Sequence, residues 1–202
     1  MIGRRTLILA ALLAPAAAQA AADPATVPLE TFGGALIAAM KAGPSEPFDK
    51  RAASLRTAIV ATFDLPTILA HSIGLDYAGY PAAQKSALLA AFTAFTVASW
   101  TANFDRWNGE VFRVLPQIRK LGAQQIVPTE IGIPGKPGTR LDFVMQQGAA
   151  GWQAVDILVD GTISRVAVQR SDFNALLMSG GPDALIASLR HKTAQLAAGS
   201  AG

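Results

Sequence analysis

The stretch 151-GWQAVDILVDGTISRVAVQRSDF-173 alternates between apolar and polar residues, a pattern that is typical of β-strands. The dipeptide Asp160-Gly161 divides it into two runs and is a strong signal for a tight hairpin turn. We therefore expect two neighbouring antiparallel strands, at about 152–159 and 162–170. This hairpin sets the fold class of the second half of the chain.

The residues before this hairpin extend the same pattern into a larger sheet. Glycine- and proline-rich turns at 132–138 and 147–151 separate further runs with a period of two. Together they predict an antiparallel meander of about five strands, of which the first three lie at about 111–115, 123–133 and 139–147.

Helical periodicity precedes and follows the sheet, which predicts an α+β fold with N-terminal and C-terminal helices packed on one face of a curved sheet. Such a cone either fills with side chains or leaves a ligand cavity. Residues 23–28 are expected to form a mobile terminus. The predicted helices lie at about 29–41, 47–62, from the N-cap Asp64 to Gly74, 82–107 (with Phe92, Phe95, Ser99 and Phe104 roughly on one face), 173–179, and from Pro182 onward.

Residues 1–22 have the features of a cleaved export signal. Arg4-Arg5 form a basic start, Leu7–Leu13 form a short apolar run, and Ala18-Gln19-Ala20 fits a cleavage site. The arginine pair leaves both general secretion and twin-arginine export open. We expect residues 23–202 to form one domain in the periplasm of a Gram-negative bacterium.

The composition excludes several classes of protein. The chain has no Cys, so it carries no disulfide and no lipid-anchoring cysteine. Its formal charge of +3 falls to +1 without Arg4 and Arg5 (15 basic against 14 acidic residues), which is not the footprint of a nucleic-acid-binding protein. Hydrophobic residues make up 51% and charged residues 15%. This excess of hydrophobic residues would be needed to line an internal apolar cavity.

Motifs for metal, phosphate or nucleophilic chemistry are not found in the sequence. The two histidines, His71 and His191, are far apart and lack clustered metal ligands. No G-x-S-x-G motif occurs, and the loop 132-GIPGKPG-138 lacks the spacing of a phosphate loop. We expect neither a metal nor a cofactor.

Asp156 is the strongest candidate for catalysis, because it lies among Val155, Ile157 and other apolar residues. A carboxylate buried in an apolar cone acquires a raised pKa and acts as a general acid or base in cone-shaped dehydratases and isomerases. The alternative is a structural role, in which Asp156 pairs with Arg165 or Arg140 on a neighbouring strand. Strict alternation places Val155, Ile157 and Val159 on one face of this strand. Neither face of the strand carries a His that could act as a partner for Asp156.

Several segments, in their order and spacing, resemble the MlaC-like family of periplasmic phospholipid-binding proteins, also known as toluene-tolerance auxiliary components of ABC transporters. The resemblance covers about residues 30–190 and is greatest to the hopanoid-associated HpnM branch. The segments that carry it are Phe63-Asp64 after an amphipathic helix, 84-QKSALLAAF-92, 104-FDRWNGEVFRV-114, 152-WQAVDILVDG-161, 164-SRVAVQRSDF-173 and 180-GGPDALI-186.

The resemblance implies an NTF2-like cone without catalytic residues, whose helices and sheet enclose the acyl chains of a phospholipid or a hopanoid-like lipid. It also implies a monomeric shuttle whose partners are an inner-membrane ABC complex with an MCE-domain subunit, or an RND-type exporter, and an outer-membrane lipoprotein complex. The candidates for lining the lipid cavity are Phe92, Phe95, Phe104, Phe112, Phe143, Trp152, Val155 and Ile157. Arg165 and Arg170 are the candidates for contact with the head group.

Three hypotheses therefore stand side by side. The first is a periplasmic lipid carrier, in which Asp156 is structural. The second is an NTF2-like dehydratase or isomerase that uses Asp156. The third is an envelope adaptor that binds no ligand and has a filled core, so cavity volume separates it from the first.

Overall fold

The computed structural model describes residues 23–199, which fold into helices at both ends of an antiparallel sheet. The α+β prediction is confirmed. The expected export signal at 1–22 lies outside the described residues. The expectation of a mobile segment at 23–28 is wrong, because Ala25 is fully buried and the Asp23 carboxylate accepts a hydrogen bond from its backbone N–H at 3.0 Å.

Four α-helices precede the sheet: α1 (Val27–Ala42), α2 (Phe48–Thr62), α3 (Leu65–Ile73) and α4 (Ala82–Asn103). Asp64 caps α3 as predicted, since its carboxylate accepts a hydrogen bond from the backbone N–H of Thr67 at 3.0 Å. The backbone N–H of Asp64 also donates to the carbonyl of Ala154 at 2.9 Å. This bond fixes the start of α3 against the sheet.

The described sheet has six antiparallel strands: β1 (Val111–Val114), β2 (Arg119–Leu121), β3 (Gln124–Gly132), β4 (Thr139–Gly148), β5 (Gly151–Val159) and β6 (Ile163–Ser164). Their order is β1-β3-β4-β5-β6, and β2 pairs with β3 beside β1. The meander is as expected, with β2 as an addition. The turn after β5 has positive φ at Asp160 (50°) and Gly161 (74°), which agrees with the hairpin signal.

The prediction of a strand over 162–170 is wrong, since the strand ends at Ser164 and helix α5 (Arg165–Ala197) begins there. The Ser164 hydroxyl accepts a hydrogen bond from the backbone N–H of Ala167 at 2.9 Å, and the Asp156 carboxylate accepts one from Val166 at 3.0 Å. These two caps satisfy orphan donors of the first helical turn and outweigh the β-propensity of the valines.

Helix α5 is bent at Gly180-Gly181, where the backbone leaves helical geometry and Gly181 has a φ of 67°. Pro182 follows and begins the last straight segment, as the sequence predicted. The predicted helix at 173–179 is the end of a longer segment that begins at Arg165.

A β-bulge changes the side-chain pattern of β5. Val144 pairs with Asp156 and Met145 pairs with Ala154, so Val155 is an extra residue. As a result Ala154 and Ile157 both pack against the main core, whereas Val155 packs with a small cluster that includes Ile126. The strict alternation assumed from the sequence, with Val155 and Ile157 on one face, is wrong here.

The main core lies between the helices and one face of the sheet, and Phe32 of α1 is at its centre. Phe32 is fully buried, and its ring centroid lies 5.3 Å from Phe63, 4.9 Å from Trp100, and 6.2 Å from both Phe112 and Phe143. These pairs are mainly edge-to-face, the arrangement that aromatic rings favour. The centre of the core around Phe32 is thus packed.

Candidate functional site

A cavity of about 260 Å³ opens beside this core, where α3, α4 and α5 face β4 and β5. Its wall is mostly aromatic and aliphatic, and its polar residues come from α4, β5 and α5. The lining residues are Phe63, Leu65, Ile68, Phe92, Phe95, Thr96, Ser99, Trp100, Asn103, Phe104, Leu141, Asp156, Ile157, Val159, Arg165, Val166 and Gln169.

Helix α4 supplies one long wall of the cavity. Residues at a spacing of three or four share one face of a helix, which brings Phe92, Ser99 and Asn103 to the cavity side. Near the end of α4 the rings of Trp100 and Phe104 stack, with centroids 5.2 Å apart and an angle of 19° between planes. This wall is suited to binding an apolar ligand, because it presents large apolar side chains and few polar atoms.

Polar side chains lie where α5 begins. Arg165 is exposed in the first turn of α5, and Gln169 one turn later accepts a hydrogen bond from the Ser72 hydroxyl at 3.1 Å. Asp156 lies beneath them on β5. The cavity therefore combines an apolar interior with a small polar group at one end.

Both carboxylate oxygens of Asp156 are engaged in structural hydrogen bonds. One oxygen accepts from the backbone N–H groups of Ile157 (2.7 Å) and Val166 (3.0 Å), and the other accepts from the Ser164 hydroxyl (2.5 Å). Asp156 thus holds the start of α5. No His is among the cavity-lining residues of the described chain, so an Asp/His pair is not assembled there.

The pairing proposed for Asp156 with an arginine is wrong. Arg140 instead binds Asp142 with two hydrogen bonds, of 2.7 and 3.0 Å, and Arg119 donates to the same carboxylate at 2.9 Å. Asp142 is fully buried, so these bonds offset the loss of its hydration.

The predicted cavity residues divide into two groups. Phe92, Phe95, Phe104, Ile157 and Arg165 line the cavity. The other predicted residues lie elsewhere: Phe143 is fully buried in the core, Trp152 packs against that core, Phe112 lies beside α1, Val155 packs on the other face of the sheet, and Arg170 lies against Gly74.

Several lining residues were not identified from the sequence. Thr96 and Asn103 lie on the same face of α4 as Phe92 and Ser99, so helical periodicity could have found them. Val166 and Gln169 were missed because the start of α5 was assigned to a strand. Phe63 and Leu65 flank the predicted N-cap Asp64. The sequence pattern does not show that the start of α3 contacts the sheet, as it does through the bond between Asp64 and Ala154.

Residues 23–199 contain neither a candidate membrane-spanning helix nor a cluster of metal ligands. No helix within this range combines the length and apolarity that crossing a membrane requires. The same residues contain no cluster of three or more His, Cys, Asp or Glu side chains suited to a metal ion.

Comparison with known proteins gives a consistent result. Residues 31–191 match the family model described as MlaC protein. The fold is similar to a phospholipid-binding protein from Ralstonia solanacearum, solved in complex with a phospholipid, with a TM-score of 0.74 and 18% sequence identity. This match covers 87% of this chain and 99% of that one. A search of curated proteins finds no match.

Proposed function

The chain belongs to the MlaC family, and we propose that it is a non-enzymatic periplasmic carrier that binds a phospholipid and shuttles it between inner- and outer-membrane complexes. In this proposal residues 1–22 are the cleaved export signal and residues 23–202 form the lipid-binding domain. The observation that supports it most directly is the apolar cavity between α4, α5 and the sheet.

The energetics of lipid transfer favour an enclosed site. A two-chain lipid exposes about 30 CH₂ groups in water, at roughly 0.8 kcal/mol each, or on the order of 25 kcal/mol in total. Contacts with a head group are too weak to offset a cost of this size. A carrier therefore needs an apolar interior for the chains, and the aromatic wall around Phe95, Trp100 and Phe104 supplies one.

In this proposal the cavity widens when the ligand binds. Its volume of about 260 Å³ lies below the roughly 300–1,000 Å³ that is typical of sites for small ligands. Moving the sheet away from α4 enlarges the space without breaking a strand pair, whereas the start of α5 stays with β5 through the bond between Asp156 and Val166. The bend at Gly180-Gly181 lets the first half of α5 move separately from the second half.

Arg165 is the head-group contact in this proposal. Arg165 is an exposed, cavity-lining residue of the first turn of α5, where a phosphate also meets the positive end of the helix dipole. The other candidate, Arg170, packs against Gly74 and is not among the lining residues. Of the two arginines, we therefore assign the phosphate contact to Arg165.

The hopanoid-like ligand and the identity of the membrane partners are finer parts of the proposal. A hopanoid is also largely apolar, so the same wall suits it. The family resemblance supports an ABC complex with an MCE-domain subunit, or an RND-type exporter, on the inner side and a lipoprotein complex on the outer side.

A transfer assay with a matched pair of variants tests the carrier function. Ser99 lines the cavity on α4, whereas Ser86 is an exposed residue of the same helix. We expect the wild-type chain and Ser86→Phe to speed the transfer of a fluorescent phospholipid between vesicles, and Ser99→Phe to reduce the rate to background. Equal rates for the two variants, or no transfer by the wild type, would contradict the proposal.

A further inference from the structure

The turn that follows α3 holds a leucine side chain out in solvent. Leu75 is 92% exposed, the highest value among the large apolar side chains of residues 23–199. It begins a short 3-10 helical turn (Leu75–Gly79) that comes directly after α3. A single exposed leucine is ordinary on a protein surface, so its neighbours decide whether it has a role.

The turn that carries Leu75 is anchored to the rest of the protein. The rings of Tyr77 and Tyr80 lie 6.1 Å apart, edge to face, and both pack against the main core. From α4, the Nζ of Lys85 donates a hydrogen bond to the carbonyl of Ala78 at 2.8 Å and lies 5.5 Å from the centre of the Tyr77 ring. Leu75 is therefore presented to solvent from a firmly held base.

Two cationic side chains flank Leu75. On the α5 side, Nη2 of Arg170 lies only 2.9 Å from the position that a Cβ of Gly74 would occupy, and Lys85 lies on the α4 side. Neither cation forms an ion pair within the described part of the chain. The turn itself contributes one carboxylate, Asp76, against these two cations. We call Leu75, Tyr77, Tyr80, Lys85 and Arg170 the Leu75 patch.

The Leu75 patch adjoins the polar end of the cavity. Gln169 lines the cavity and accepts a hydrogen bond from the Ser72 hydroxyl at 3.1 Å. The next residues on each side, Arg170 on α5 and Gly74 at the end of α3, meet in the patch. The contact between α3 and α5 thus forms part of the cavity wall and also supports the patch.

This set of side chains suits the surface of a lipid bilayer. A protruding apolar side chain enters the boundary between head groups and acyl chains, and tyrosines lie at that boundary with their hydroxyl groups towards water. Lysine and arginine are attracted to the phosphates of anionic lipids. A stable protein interface instead buries about 800 Å² on each partner around an apolar centre, and one exposed leucine does not provide such a centre.

We propose that the Leu75 patch docks the protein directly on the surface of a bilayer that contains anionic phospholipids. Leu75 inserts at the boundary of the acyl chains, and Lys85 and Arg170 contact phosphates. The polar end of the cavity then lies beside the bilayer, where a lipid enters and leaves. The inference rests on the proposed lipid-carrying function and adds a direct contact with the membrane to it. Because one apolar side chain and two cations carry the contact, it is weak and reversible, as a shuttle requires.

Vesicle flotation with a matched pair of variants provides the first test. The vesicles contain equal parts of phosphatidylcholine and phosphatidylglycerol. We expect Leu75→Ser to weaken binding to them by at least about tenfold, because the leucine side chain no longer leaves water. Leu121→Ser changes a leucine of β2 that is 55% exposed outside the patch, and it should match the wild type. Urea unfolding of both variants checks that the fold is retained.

A charge comparison tests the role of the cations. The double variant Lys85→Gln/Arg170→Gln should weaken binding to the anionic vesicles by about tenfold and should change binding to pure phosphatidylcholine vesicles little. The control Lys120→Gln/Lys136→Gln removes the same number of charges from exposed positions outside the patch. It should bind the anionic vesicles as the wild type does.

A second measurement keeps Leu75 in place. Because the chain has no Cys, Ala78→Cys introduces a unique thiol in the turn, and Ala123→Cys introduces one at an exposed position between β2 and β3. An environment-sensitive fluorophore at residue 78 should shift to the blue on the anionic vesicles and be quenched by a lipid with a nitroxide at carbon 5. The same fluorophore at residue 123 should show neither change.

Binding of a water-soluble short-chain phosphatidylcholine separates this inference from the proposed function, and Leu75→Ser should bind it as the wild type does. Flotation that is equal for Leu75→Ser and Leu121→Ser, or no flotation of the wild type, overturns the docking role and leaves the carrier intact if the soluble lipid still binds. Failure of the wild type to bind the soluble lipid overturns the carrier function and the purpose assigned to the patch.

Discussion

The Asp156 carboxylate on β5 accepts a hydrogen bond from the backbone N–H of Val166 on α5 at 3.0 Å. Its other oxygen accepts one from the Ser164 hydroxyl, and Ser164 in turn caps Ala167. A carboxylate among apolar residues is therefore used to begin a helix, and the helix that it begins forms one side of the cavity. The residue that most suggested catalysis instead holds a wall of the site.

Asp156→Ala should lower the free energy of unfolding by about 1–3 kcal/mol, because partly buried donors at the start of α5 lose their acceptor. Asp156→Asn should cost less, since the amide oxygen still accepts one of these bonds. Urea denaturation followed by circular dichroism measures both, with the exposed Asp172→Ala on α5 as control. Equal stability of Asp156→Ala and the control would show that the cap is not structural.

Gly33 and Gly34 of α1 should respond in opposite directions to the same substitution. A Cβ at Gly33 would clash with Phe112, so Gly33→Ala should destabilise the protein by about 1–3 kcal/mol. Gly34 has open space around it, and Gly34→Ala should stabilise the helix by roughly 0.5–1 kcal/mol. Thermal or urea unfolding compares the two. In a Phe112→Ala background the cost of Gly33→Ala should largely vanish, and its persistence there would rule out this clash as the cause.

The ion pairs of Arg140 and Arg113 can be compared directly, because each arginine side chain is 49% exposed. The partner of Arg140, Asp142, is 0% exposed, whereas the partner of Arg113, Glu130, is 28% exposed. Arg140→Gln leaves a buried carboxylate with fewer donors and should cost about 1.5–3 kcal/mol, whereas Arg113→Gln should cost at most about 1 kcal/mol. Denaturant unfolding of the two variants decides this, and equal losses would contradict the assigned role of burial.

The two tyrosines should make the protein sensitive to alkali. Desolvation by burial raises the pKa of Tyr77 above 10.0, and desolvation together with the charge of Asp76 raises the pKa of Tyr80. A raised folded-state pKa means that this part of the stability is fully present below pH 10 and is lost as pH rises through the folded pKa.

The chain has two Tyr, so the pH-dependent change in its absorbance at 295 nm reports on the ionisation of these two residues. We expect the folded protein to titrate above pH 10 and the urea-unfolded protein near it. The double variant Tyr77→Phe/Tyr80→Phe should lose less stability between pH 9 and pH 11 than the wild type. Identical titration curves for folded and unfolded protein would refute the assignment.

The sequence predicted the parts of the fold that depend on local signals. The Asp64 cap, the Asp160-Gly161 turn and the start of a helix at Pro182 each involve residues close together in the chain, and each is found in the structure. The start of α5 was missed because its second cap, Asp156, comes from another element, so the valines after Ser164 looked like a strand. The bulge at Val155 could not be predicted from the sequence of β5 alone, because it is defined by the register between β5 and β4.

The candidate site was predictable to the extent that it follows the periodicity of α4. Phe92, Phe95 and Phe104 line the cavity, and the other predicted aromatics, Phe112 and Phe143, pack elsewhere. Core and cavity wall consist of the same side chains, and the difference between them depends on which helix meets which strand. That information lies in the tertiary packing around Phe32.

Native mass spectrometry of the mature protein, gently purified from a bacterial periplasm and followed by solvent extraction and lipid analysis, tests the central claim most directly. We predict a mass above that of the bare chain by one phospholipid, and recovery of that lipid in the extract. A mass shift that matches a hopanoid-like lipid would keep the carrier function and change its ligand. The mass of the bare chain alone, repeated over independent preparations, would contradict the account.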